Sequence, residues 1–238
     1  MLNLKTSKGS NIHLLKIGIT NCFFVEKNGT TFLIDTGQKR FSEKLKSHIS
    51  VLLKEYHKLD YLILTHTHYD HAENAKMIKE LFLPKLIAHK SETQFLINGF
   101  TKLPRGTNII TDIITKLGNK YAHQIGEYEP VRTDIEIDDL YIFEKINRIT
   151  IIHTPGHTMG SVSIIIDDEI ALVGDSMFGL FRNKILPPFA DYKKELYKSW
   201  SKLLETPCKS FIPAHGKLIK RELVERQVNK LKIKIHEL

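Results

Sequence analysis

The stretch LTHTHYDHAEN, residues 64–74, decides how this chain is read. It places His66, His68, Asp70 and His71 within six positions, directly after the apolar run Leu62-Ile63-Leu64. Each of the four side chains is a metal ligand type. At the end of a strand His66 and His68 share a face, because residues two apart point the same way. Asp70 and His71 fall on the turn into the next helix and can face a second ion. Zinc takes imidazole nitrogen and carboxylate oxygen at about 2.0–2.2 Å, and a catalytic site needs three protein ligands per metal. Four residues are too few for two ions, so the stretch predicts further ligands elsewhere.

Three such residues follow. HTPGHTMGS (153–161) puts His157 on a Pro-Gly turn after a strand, LVGDSMF (172–178) puts Asp175 after another, and IPAHG (212–216) puts His215 after a third. Each sits where a strand runs into a loop beside Gly or Pro, and a rigid sheet edge preorganises a metal site. With 12 histidines in 238 residues an isolated H-x-H is cheap. The full H-x-H-x-D-H arises by chance about once in a thousand from multiplied frequencies. His13, His48, His57, His89, His123, His153 and His236 lack a partner pattern and read as structural or surface residues.

Working outward, strands are expected at 13–19, 22–28 and 30–37, with Asn28-Gly29 as a hairpin turn. A helix is expected at 42–56 with Ser42 as N-cap, a strand at 61–66, a helix at 72–82, a strand at 85–90 and a helix at 91–98. Residues 99–133 carry several Gly and Pro and one helical candidate at 109–117. Such an excursion reads as a lid or binding loop. Strands follow at 140–145, 148–154, 161–166 and 169–176, then a helix at 193–205, a strand and loop at 209–216, and a last helix at 218–235. Two sheet-plus-helix halves, sheets face to face and helices outside, would bury these apolar runs. No linker separates the halves, so residues 1–238 read as a single domain.

The composition, 42% hydrophobic and 26% charged, is that of an ordinary globular chain. No apolar run approaches the ~20 residues of a membrane helix, and the N-terminus lacks a signal-peptide block. Cys22 and Cys208 sit among apolar neighbours and read as buried thiols of a cytoplasmic protein. The net charge of +8 comes mostly from lysines mixed with acids along the whole chain, as in FSEKLKSH and DYKKELYKSW. That is a solvated surface rather than a nucleic-acid face.

The motifs, in order, resemble the metallo-β-lactamase fold superfamily: FLIDTG (32–37), LTHTHYDH, TPGHTMGS, GDSMF and PAHG, spread over residues 12 to 216. The resemblance implies an α/β (α+β) four-layer αβ/βα sandwich, two mixed β-sheets with helices on the outer faces. It also implies ligands: His66, His68 and His157 on one metal, Asp70, His71 and His215 on the other, and Asp175 bridging. Asp35 resembles the family's buried carboxylate that orients the ligand loops. Two divalent ions sharing a water generate hydroxide near neutral pH and hold the oxyanion of an attacked carbonyl, with Asp70 orienting the nucleophile.

Departures narrow the branch. Asp175 replaces the Cys or Ser of true β-lactamases, and His68 stands where the oxygen-reducing diiron branch has Glu. About forty residues between Asp175 and His215 leave no room for the RNA-cleaving cassette. Only Lys217 to Leu238 follow the last motif, unlike the glutathione-thioester hydrolase. The resulting expectation is a dinuclear zinc hydrolase of a small-molecule ester, thioester or lactone, with iron or manganese as other metals and a homodimer as the guessed assembly. The rivals are a mononuclear iron persulfide dioxygenase and a phosphodiesterase. Met177, Phe178 and Phe181 read equally as cleft or core, and Tyr69 as a packing residue or a donor to a leaving group.

Overall fold

The computed structural model describes residues 2–121, 123–144 and 146–236, with backbone alone for 123 and 232–236. The first sheet contains β1 (Leu2–Lys5), β2 (Asn11–Ile17), β3 (Thr20–Lys27), β4 (Thr30–Ile34), β5 (Tyr61–Ile63), β6 (Lys85–His89) and β7 (Ile135–Ile137), adjacent in that order. β1 to β4 are antiparallel, while β4 to β7 are parallel. The second sheet contains β8 (Leu140–Ile142), β9 (Ile149–His153), β10 (Val162–Ile166), β11 (Ile170–Gly174), β12 (Ser210–Pro213) and β13 (Ile219–Lys220). Its one parallel pair is β11 with β12.

Parallel neighbours need crossovers, and here helices supply them. They are α1 (Ser42–Tyr56), the single turn α2 (Tyr69–Ala72), α3 (Ala75–Phe82), α4 (Lys90–Asn98), α5 (Ile109–Tyr121) and α6 (Lys193–Glu205); α7 (Arg221–His236) closes the chain. Three apolar clusters separate four layers. Leu15, Phe24 and Leu62 pack under Leu45, Ile49 and Ile78 of the first helices. Phe23, Phe32 and Ile63 meet Ile151, Ile164 and Leu172 between the sheets. Val173 and Phe211 lie under Trp200, Leu203 and Val224. The αβ/βα sandwich expected from the motifs is therefore the fold.

Local differences have physical reasons. Asn28 and Gly29 both have positive φ, 51° and 76°, as the tight hairpin requires. Ser42 does not cap α1: a 3₁₀ turn at Lys39–Phe41 runs into it, and Ser42 is already helical at φ −54°. The helix expected at 72–82 is split, because the Asn74 amide donates to the carbonyls of Thr36 (2.8 Å) and Gly37 (3.2 Å). The helix in the excursion runs on to Tyr121. β1, β7 and β13 are short and at or near sheet edges, where their periodicity is weak. Cys22 and Cys208 are free and buried, and burial pushes both thiols up.

A buried ion pair ties the end of β3 to the turn after β10, and the loop from Thr6 to Ser10 is fastened to the same carboxylate. Lys27 Nζ lies 2.8 Å from Asp167 Oδ1, with both side chains almost fully shielded. Thr6 and Ser10 also donate to Asp167 Oδ2. Burial alone would raise the Asp167 pKa, but Lys27, Ser10 and Thr6 outweigh it and hold the carboxyl below its usual range. The stability this confers is complete above the unfolded aspartate value of about 4 and is lost as pH falls through the lower folded value. Asp167→Ala strands the lysine and is expected to cost about 3–5 kcal/mol in urea denaturation at neutral pH. Adding Lys27→Met to Asp167→Ala removes the stranded charge and should recover part of that loss in the same measurement.

Candidate metal centre

The candidate residues come from one edge of the sandwich, where β4, β5, β9, β11 and β12 end. Asp35 follows β4 with φ +59°, a left-handed backbone that Asp tolerates better than most residues. His66 and His68 lie on the loop after β5, Asp70 and His71 on α2, and His157 beyond β9. Asp175 and His215 follow the parallel pair β11 and β12. The two sheets touch here through Gly174, whose φ is +50°. A Cβ built there would lie 2.7 Å from the Thr65 side chain, so only glycine lets the two loops meet.

All seven side chains are buried and converge. One donor atom from each of His66, His68 and His157 lies within 4.8 Å of the others, and the same is true of His66, His71 and Asp175, and of Asp70, His71 and His215. His68 Nδ1 faces His157 Nε2 at 2.9 Å. Asp175 stands between the groups, with oxygens 3.4 Å from His157, 3.4 Å from His215 and 3.6 Å from His71. His215 Nε2 lies 3.1 Å from Asp70 Oδ2.

The surroundings set which imidazole nitrogen carries the proton. His157 Nδ1–H donates to the Phe189 carbonyl at 2.9 Å, and His215 Nδ1–H to that of Ile19 at 3.1 Å. His71 Nδ1–H donates to Asp35 Oδ2 at 2.8 Å. The Thr65 hydroxyl also gives its single proton to Asp35 Oδ2, at 2.8 Å. It must therefore accept from His66 Nδ1–H, 3.2 Å away. In His66, His71, His157 and His215 the other ring nitrogen, Nε2, is left facing the centre, where the neutral ring offers its lone pair. Among the described residues, His66 Nε2, His71 Nε2 and Asp175 Oδ1 are buried without a hydrogen-bond partner. Unpaired buried polar atoms are costly, and a cation is the partner these donors fit.

The charges agree. Burial lowers His71, but Asp35, Asp70 and Asp175 outweigh it and raise its pKa to about 10. In the metal-free protein this ring therefore also carries a proton on Nε2, and a cation drawn in by the same three carboxylates would take that proton's place. Burial holds His66 and His68 well below the ordinary value and takes His157 down to about 3, so these rings are neutral donors. Burial resists ionisation of Asp70, yet His71 and His215 keep it far below the usual carboxylate range.

A cavity of about 470 Å³ opens over the cluster. Tyr69 and Phe178 line it, and burial pushes the Tyr69 hydroxyl up to about 12, so it remains an O–H donor at neutral pH. Met177 and Phe181 do not line it. Met177 is adjacent to Phe178 and points the other way, into the core under Trp200. Phe181 sits in a turn paired with Lys184 and is 61% exposed. The excursion supplies one wall through Leu103, Pro104, Ile114, Thr115 and Ile125. It is fastened to residues 187–191 by Thr107 N–H to Pro188 and Ala190 N–H to Arg105. His89 and His153 stack on each other at 4.2 Å and belong to none of the donor groups. The side chains of His123 and His236 lie outside the described residues.

Two supporting residues escape sequence reading. Thr65 looks like any strand residue. Glu92 is a carboxylate on the buried face of α4, one turn before buried Leu96; a Glu at an apolar-periodic position was its only signal. It accepts from Thr67 N–H (3.1 Å) and the Thr67 hydroxyl, between His66 and His68. It also accepts from the Thr158 hydroxyl (2.7 Å) and Gly160 N–H (3.1 Å), just past His157. One side chain thus ties two histidine loops together.

A sequence profile of the metallo-beta-lactamase superfamily matches residues 15–215. The metallo-beta-lactamase fold-containing protein ST1585 of Sulfurisphaera tokodaii is 27% identical over 182 residues, 73% of this chain and 67% of that protein. The crystal structure of ST1585 superposes with a TM-score of 0.68 over 92% of this chain and 85% of that one, at 23% identity, a likeness of fold. The beta-lactamase-like protein 2 homolog of Drosophila melanogaster is 24% identical over 227 residues, 93% of this chain and 67% of that protein. A hydroxyacylglutathione hydrolase of Pelagibacter ubique is 26% identical over 156 residues, 65% of this chain and half of that protein. The chain thus spans about two thirds of the first two relatives.

Glu92→Leu takes away the acceptor of four donors, of which the Thr158 hydroxyl can turn to Ser161 Oγ at 2.9 Å, and is expected to destabilise the metal-free protein by about 3 kcal/mol in urea denaturation. Glu92→Gln, which keeps an acceptor oxygen and the shape, is expected to cost less than half as much.

Proposed function

Because this chain belongs to the metallo-beta-lactamase superfamily, we propose that it is a dinuclear metal-dependent hydrolase of a small-molecule ester, thioester or lactone. The observation that carries this is the convergence of seven donor side chains into overlapping groups, with unpartnered atoms of His66, His71 and Asp175 at their centre. A facial triad for a single iron uses three ligands and leaves the rest unexplained. His66, His68 and His157 would hold one ion and Asp70, His71 and His215 the other, with Asp175 shared; zinc suits this donor set, and iron or manganese also fits it. Bound there, the pair supplies Lewis-acid charge that brings the pKa of water toward neutrality and offsets negative charge on an attacked carbonyl.

The protein groups do the rest. Asp70, whose carboxylate lies 3.1 Å from His215 Nε2 at the cavity, orients the attacking water and relays its proton. The water oxygen forms the new C–O bond, the bond from the acyl carbon to the leaving oxygen or sulfur breaks, and Asp70 returns the proton to that leaving atom. Asp35 and Thr65 hold His66 and His71 in the tautomers that present Nε2. The Tyr69 O–H lines the cavity and can donate to the leaving atom. A carbonyl substrate is favoured by the apolar walls of the cavity, which Leu103, Pro104, Ile114, Phe178 and Leu180 line.

Elemental analysis of the purified protein is expected to find about two zinc, manganese or iron ions per chain. A panel of chromogenic esters, thioesters and lactones should show turnover that a chelator abolishes, zinc restores and His68→Ala removes. One iron per chain, with oxygen uptake on a persulfide thiol, would overturn the proposal. Separately, Asp35→Asn should weaken metal binding about 10–100-fold in a chelator competition, because His71 and Thr65 lose their charged acceptor.

A further inference from the structure

The rim of the cavity is apolar and open. Ile19, Ile114, Ile125 and Leu180 all line it and are 49%, 53%, 41% and 57% exposed. They come from four separate places: the β2–β3 turn, α5, the turn at His123–Gly126 and the loop after β11. Buried Phe178 forms part of the floor, its ring 4.8 Å from that of His215. Single exposed apolar residues are ordinary, but four converging on one cavity above a polar cluster are the mark of a ligand site. The surface continues outward. Ile110 and Leu117 sit four before and three after Ile114, on the same face of α5, and both are more than half exposed.

We propose that this cavity binds a hydrocarbon tail, so that the substrate is an ester, thioester or lactone of a medium- or long-chain acyl group. The carbonyl lies at the histidine and aspartate cluster, and the tail runs between Ile114 and Leu180 toward the exposed face of α5. The identity of the reacting bond rests on the hydrolase reading; the tail site does not. A cavity of about 470 Å³ is within the range that organic ligands fill. Each methylene moved from water into such a wall favours binding about fourfold. Water adds to the acyl carbon, the bond to the leaving oxygen or sulfur breaks, and that atom takes the proton; an ester or thioester gives the tail's carboxylic acid and an alcohol or thiol, and a lactone opens to one hydroxy acid.

Two measurements on the metal-loaded full chain separate the claims. Hydrolysis of p-nitrophenyl esters from acetate to decanoate should show kcat/KM rising about fourfold per methylene over the shorter chains and then levelling. Calorimetry with alkanoates from butyrate to dodecanoate should show Kd tightening in parallel. Both slopes should flatten in Ile114→Asn/Leu180→Asn, a double variant at half-exposed positions that the fold tolerates. Hydrolysis with no dependence on chain length, in either measurement, overturns the tail site and leaves the hydrolase standing. Length-dependent alkanoate binding with no hydrolysis of any ester supports the tail site and overturns the hydrolase. Slopes unchanged in the double variant overturn the placement of the tail.

Discussion

Three carboxylates and a histidine share a buried volume at the edge of this sandwich, and the structure is arranged around making that tolerable. Asp35, Asp70 and Asp175 all face His71, whose side chain is fully buried. Charges withdrawn from water are stable only when paired and hydrogen-bonded. Asp35 meets that need with donors from His71, the Thr65 backbone and the Thr65 hydroxyl. Asp70 and Asp175 meet it only in part, through imidazoles at 3.1–3.6 Å and, for Asp70, the Thr20 hydroxyl at 3.3 Å. The residual demand for positive charge is the physical content of the proposed metal centre.

The strand topology is what allows the arrangement. Chains that run parallel end at the same edge, so β4 with β5 and β11 with β12 deliver their loops to one place. Gly174 then lets the sheets come close enough for Thr65 to receive the opposite loop. Val162 N–H closes the gap by donating to the Thr65 carbonyl at 2.9 Å. Precision at such a site comes from strands and from the groups behind the ligands, here Asp35, Thr65 and Glu92.

Much of this was readable from the chain. The five motifs in order pointed to the fold through their family resemblance, and the seven side chains singled out at 66–71 and at three strand ends meet in the structure. Thr65 and Glu92 were not readable. Their roles depend on partners brought together by tertiary packing, Glu92 with Thr158 being 66 positions apart. The choice between core and cleft for Met177 and Phe178 was likewise open, since it turns on which of two adjacent side chains faces inward. Ile19, Ile114 and Leu180 looked like ordinary surface or core residues until the four segments met.

The clasp on the last histidine has a bearing on how the molecule assembles. His215 is oriented by the carbonyl of Ile19, 196 positions earlier, and Asn21 grips the same loop through the carbonyls of Pro213 and Gly216. The β2–β3 hairpin therefore cannot complete these contacts until residues 213–216 have been synthesised. Contacts so distant along the chain slow a fold's closure. Until they form, a nascent polypeptide displays the imidazoles of 66–71 without their final counterpart. The centre needs residues 19–21 and 213–216 in place together, so its integrity reports on the fold across that span.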